Sequence, residues 1–279
     1  MEKIILVILG AAPAPNALNF ACYLSDLTRS RLTGLFFQKD LYTEQPALKQ
    51  LYGMTYVESI VSGDLPEHNV KKRQIEEHMR NFKENCEEKG IQASTRYIQE
   101  PILEEIISES RFSDLIIVDA AVSYTTEAKD IPATLLKEIL SSAQCPVIIA
   151  PVIQEPIEEI VFCYDGSPSS IFAMKQLTYL LPELTESRGT VLQIQKEGEV
   201  APSEKKMITT WLSKHFTYSD FTVLKGNTED ELFTYLLKKK HALIVMGAYG
   251  RGIVSRFFKH SHADLLIKTL AYPVFITHY

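Results

Sequence analysis

The chain repeats itself, and the repeat constrains the fold more than any other feature. Cys145-Pro-Val-Ile-Ile near the middle returns as Tyr272-Pro-Val-Phe-Ile at the end, and the apolar run at 115–118 returns at 243–246. In each copy, short apolar runs alternate with stretches whose apolar residues recur every three or four positions. The expected strands lie at 4–9, 32–37, 93–98, 115–118 and 147–150, then at 160–164, 190–194, 221–224, 243–246 and 273–276, apolar throughout in some and mixed in others, such as 93–98. A continuous apolar run like that at 243–246 is too short for a helix and suits a strand buried on both faces, as in a parallel sheet. Strand–helix alternation implies βαβ units. The expected fold is α/β: two tandem doubly wound domains, 1–152 and 157–279, each with a mainly parallel five-stranded sheet. The copies differ mainly at residues 38–66, where Gly53, Gly63 and several tyrosines interrupt a weak periodicity. This segment is read as an insert, partly helical, in the first copy.

At 279 residues the chain exceeds the usual ~100–200 of one domain, in line with the repeat. Its charge of −6 is spread along the sequence and gives no basic footprint for nucleic acid. No apolar run approaches the ~20 residues of a membrane span, and the N-terminal residues lack the pattern of a signal peptide, so the expected compartment is the cytoplasm. Cys22, Cys86, Cys145 and Cys163 form no CxxC pair, so neither a disulfide nor a zinc site is expected.

The stretch 243–261 carries the chemistry. A buried strand runs straight into Gly247, Gly250 and Gly252, with Arg251 among them. Glycines offer backbone amides and close approach to a phosphate, and the guanidinium adds fixed positive charge. A plain strand-to-helix turn uses glycine as well, so both readings stand at this point. Asp165-Gly166-Ser167, at the end of the second copy's first strand, is likewise either a ligand contact or a turn that caps the next helix. His260, His262 and Asp264 are close in sequence. Residues two apart on a helix diverge, so they make neither a metal site nor a convincing catalytic set.

On the DGS strand end, the LIVMG strand and the closing PVFI, the chain resembles the universal stress protein family in a tandem two-domain form, over nearly its whole length. The resemblance implies an adenine nucleotide alpha hydrolase-like fold, with flavodoxin-type topology, and binding of ATP, any Mg²⁺ arriving with the phosphates. Nucleotide binders of the family carry G-x2-G-x9-G-[ST] after the fourth strand. Gly247, Gly250 and Ser261 match it, while His260 stands in place of the third glycine. A Cβ there crowds the phosphate, although a protonated imidazole beside Ser261 would attract one. By the same resemblance Asp165 meets the adenosine and the backbone of Ile194 meets the base. The first copy has Leu9, Asp119 and Val122 where the second has Asp165, Gly247 and Gly250, so no nucleotide is expected there.

The implied function is a stress-response regulatory protein with adenine nucleotide in its C-terminal domain, and not an enzyme. A scaffold that binds no nucleotide and a slow ATP hydrolase stay open as alternatives. The two domains are expected to pair as a pseudo-dimer, residues 147–150 against 274–277. Further pairing into a homodimer is left open.

Overall fold

The computed structural model of the chain describes residues 1–9, 12–37, 45–51, 54–60, 66–98, 101–119, 131–195, 202–247 and 272–277. In the first copy the order is β1 (Lys3–Leu9), α1 (Pro15–Thr28), β2 (Arg31–Phe37), β3 (Gln45–Leu51), β4 (Met54–Ile60), α2 (Pro66–Glu87), β5 (Ala93–Tyr97), α3 (Ile102–Ser110), β6 (Leu115–Asp119), α4 (Ile131–Ser142) and β7 (Val147–Ala150). The second copy follows with β8 (Glu159–Tyr164), α5 (Pro168–Leu180), β9 (Arg188–Gln195), α6 (Pro202–His215), β10 (Ser219–Lys225), α7 (Thr228–Leu237), β11 (Ala242–Gly247) and β12 (Val274–Thr277). The expected helix through Leu265–Leu270 falls outside the described residues.

Ten of the strands form one sheet, in the order β10-β9-β8-β11-β12-β7-β6-β1-β2-β5. Within each copy the order is therefore 3-2-1-4-5, all parallel, as expected for a doubly wound fold. It corrects the flavodoxin-type topology, whose order is 2-1-3-4-5. The copies meet where β12 pairs antiparallel with β7, Phe275 opposite Ile148, so the expected pairing of 147–150 with 274–277 is present.

The sheet separates two cores, and the alternation of the strands assigns their residues. One face packs Leu6, Ile117, Phe162 and Val245 against α1, α2, α5 and α6. The other packs Val7, Val118, Val161 and Ile244 against α3, α4 and α7. Both cores run through the seam, for Phe275 and Ile148 belong to the first and Ile276 and Val147 to the second.

The insert holds a two-stranded antiparallel hairpin, β3 with β4, outside the large sheet. For 45–51 and 54–60 this corrects the partly helical expectation; the rest of the insert up to residue 65 lies outside the described residues. Thr55, Tyr56, Val57 and Ile60 favour extended backbone, and no 3.6-residue period opposes them.

Candidate functional site

Parallel pairing places three strand ends side by side at one rim of the second copy. Val245 lies opposite Phe162 in β8, and Tyr164 lies opposite Gln193 in β9, which brings Gly247, Asp165 and Ile194 to the same level. Strand order reverses at the β8–β11 boundary, since the chain leaves β8 toward β9 and returns to β11 on the other side. In open α/β sheets this reversal opens a crevice beyond the strand C-termini, where ligands bind. The structure thus brings together three of the residues singled out in the sequence. Gly250, Arg251, Gly252, His260 and Ser261 lie outside the described residues.

Each of the three has a local reason for its place. The exposed Asp165 ends β8, and its Oδ1 accepts a hydrogen bond from the Ser167 amide at 2.9 Å. Gly166 adopts φ +81°, a conformation that glycine takes without Cβ strain. Ser167 then caps α5, its Oγ accepting from the Ser170 amide at 3.2 Å. The turn role of Asp165 is therefore realised, and its second carboxylate oxygen is the part that a ligand would meet. Ile194 leans partly buried against the α7 side of the sheet, which leaves its backbone at the rim.

Gly247 is required for a reason the sequence did not suggest. Its φ is not positive; a Cβ at this position would lie 2.5 Å from the carbonyl carbon of Ser169 and 2.6 Å from its oxygen. The first turn of α5 presses directly on the end of β11, and only glycine leaves room. The close approach fixes the helix beside the crevice, as a glycine does where helix and strand pack tightly in dinucleotide-binding folds.

A polar group bordering the crevice escaped the sequence reading. Tyr164 is buried among apolar residues, and its hydroxyl donates to the carboxylate of Glu204 in the first turn of α6. Burial and then Glu204 push the Tyr164 hydroxyl well above the ordinary tyrosine range. Gln193, on the same face, is 8% exposed, with no partner for its Oε1 among the described residues. A buried tyrosine at a strand end followed by Asp-Gly-Ser was the available signal, but its partner lies 40 residues away. Among the described residues no group of three or more His, Cys, Asp or Glu could hold a metal ion.

The corresponding rim of the first copy offers little space among the described residues. Between Ala12, Pro13, Ala14 and Asp119 there is a cavity of about 20 Å³, room for little more than a water. Asp119 ends β6 where Gly247 ends β11, opposite Ala150 of β7.

Fold and rim together define a tandem doubly wound α/β protein, with the strand-order reversal of its second copy at the β8–β11 boundary. No family model matches the sequence, and no curated protein matches it as a relative. Among solved structures, a universal stress protein from Archaeoglobus fulgidus is similar at TM-score 0.66 and 14% identity, covering 98% of this chain and 96% of its own. A Pseudomonas aeruginosa protein designated a universal stress protein follows at TM-score 0.61 and 15% identity, with 100% and 93% covered. A functionally unknown protein from Pseudomonas aeruginosa is similar at TM-score 0.56 and 15% identity, with 100% and 92% covered. The likeness is one of fold: the chain has the universal stress protein architecture in its two-copy form. No helix among the described residues is long and apolar enough to cross a membrane.

Proposed function

We propose that the chain is a stress-response regulatory protein whose C-terminal domain, residues 157–279, binds an adenine nucleotide, with ATP as the ligand. Residues 1–152 form a companion domain that binds none. The observation that carries this reading is the juxtaposition of Asp165, Ile194 and Gly247 at the crevice, on three neighbouring strands at the reversal of strand order. Asp165 and the Ile194 backbone receive the adenosine. The phosphates fall to Gly250, Arg251, Gly252, His260 and Ser261, which follow Gly247 in the chain, and Mg²⁺ accompanies them as it commonly does with nucleotide phosphates. The small space among the described residues of the companion domain's rim and the Asp119 carboxylate, which repels phosphate, support its exclusion. Among the described residues of the crevice, Asp165, Ile194 and Gly247 supply no nucleophile and base set, and the site is read as one that binds and reports rather than one that reacts.

The test is thermal unfolding of nucleotide-free protein with ATP, ADP or AMP, with and without Mg²⁺. A ligand held only by the folded state at ~100 times its Kd adds about 2.7 kcal/mol of stability. The expected result is an upward shift with ATP that disappears in Gly250→Val, a substitution copying the first domain. His260→Gly strengthens binding if the imidazole obstructs the phosphates and weakens it if the imidazole is a ligand. No shift at millimolar nucleotide would overturn the reading in favour of a protein-binding scaffold.

A further inference from the structure

Cys22 and Cys86 are 64 positions apart, and their sulfurs lie 3.9 Å from each other, in hydrogen-bond contact. Cys22 sits midway along α1 and Cys86 in the last turn of α2, both at most 3% exposed. One helical turn back along α1 there is a second contact: Lys89 Nζ, from the turn that follows α2, donates to Asn19 Oδ1 at 2.7 Å, and both of these residues are exposed. The thiols therefore lie next to a surface contact that a single hydrogen bond closes. That contact holds an ammonium near the sulfurs, the electropositive setting in which thiolates form and react. The other two cysteines differ. Cys145 and Cys163 belong to the core on the opposite face of the sheet, and burial pushes each up to about 12.

We propose that Cys22 and Cys86 are an oxidation site, a dithiol that a peroxide closes into a reversible disulfide joining α1 to α2. At Cys22 the hydrogen bond from Cys86 outweighs the burial that raises it and, with Lys89, lowers the thiol and makes it the attacking group, while the same hydrogen bond and burial raise Cys86. The Cys22 thiolate attacks one oxygen of hydrogen peroxide. The O–O bond breaks, Cys22 becomes a sulfenic acid, and the departing hydroxide takes up the proton lost from Cys22. The Cys86 sulfur then attacks the Cys22 sulfur, the S–O bond breaks, and the hydroxyl leaves with the Cys86 proton. Two thiols and one peroxide give one disulfide and two waters. The sulfurs must approach by about 2 Å to reach bonding distance, a movement shared between two side chains on helices already in contact. The new bond closes the stretch of chain that carries the β3–β4 hairpin, the segment with no counterpart in the second copy.

The test is to expose the folded full-length protein to hydrogen peroxide, block remaining thiols, and map the peptides without reduction. The expected result is a drop in thiols titratable after denaturation from four to two, with the Cys22 peptide linked to the Cys86 peptide and both released by dithiothreitol. The thermal midpoint rises, because the cross-link restricts the unfolded chain. A variant lacking the other two thiols, Cys145→Ala with Cys163→Ala, still forms the link; Cys22→Ala forms none. Four surviving thiols, sulfinic acid on separate cysteines, or a link between any other pair would overturn the proposal.

Discussion

Glu109 shows how single residues are tuned here. It lies in the last turn of α3, accepts from Lys3 Nζ at 2.6 Å and pairs with the Arg96 guanidinium, which also reaches Glu105 at 2.8 Å. Burial by itself raises the Glu109 carboxyl, and Lys3 and Arg96 outweigh it, so the group titrates below its ordinary 4.5. A carboxylate lowered in the folded state contributes stability that is full above its unfolded value and lost as pH falls through the folded one. Glu109→Gln is therefore expected to cost about 1 kcal/mol near neutral pH, the scale of a half-exposed network of charged hydrogen bonds. Urea melts of the two proteins should converge as pH drops below 4.5. A gap that persists in acid would mean that the glutamine costs packing rather than charge. None of this was legible in sequence, because Lys3, Arg96 and Glu109 come from three elements and share no motif. Asp165 and Gly247 were legible for the opposite reason: each stands beside its own strand end, and the conformational demand falls on neighbours in the chain.

At the scale of elements, the pattern placed the ten strands of the large sheet within a residue or two. It is plainest where burial on both faces leaves an apolar composition, as in β1, β6 and β11, and least plain in the half-exposed edge strands β5 and β10, which carry polar residues. The hairpin in the insert was not legible, because two strands outside the main sheet lack that composition. Gly247 separates finding a residue from knowing its reason. The sequence marked it as part of an anion loop, whereas the structure shows the first turn of α5 pressed onto its Cα. Gly247→Ala thus tests packing before it tests binding. With Ser169 backbone atoms at 2.5 and 2.6 Å from the new methyl, α5 must shift, and overpacking of this kind costs typically 1–3 kcal/mol. The expected outcome is a lower urea midpoint with an unchanged slope, in the absence of any nucleotide. A variant as stable as the parent would show that α5 is free to move and that the contact does not position the crevice.

At the scale of the molecule, repetition in the sequence announced two copies but could not say in what order their strands lie, because strand order depends on the side toward which each crossover returns, and local pattern is the same either way. The edge pairing of 147–150 with 274–277 was expected; that both cores run continuously across β7 and β12 was not. That continuity has a thermodynamic consequence. Two domains joined only by a linker unfold in separate transitions, whereas two that share a sheet and both cores unfold together. Ile148 and Phe275 face each other at the seam, each 0% exposed. Calorimetry of the full chain is therefore expected to give one transition, its calorimetric and van't Hoff enthalpies in agreement. Phe275→Ala removes a buried ring and should cost about 3–5 kcal/mol while keeping the single transition. Ile148→Asp places an unpaired charge at the seam, which costs more than lost packing, and should split the unfolding in two. With the seam open, ATP should raise only the transition of the C-terminal domain. Two transitions in the parent protein would show that the seam contributes little and that each copy holds itself together. A single transition that splits with Ile148→Asp would make the seam the route by which a ligand in one copy stabilises the other.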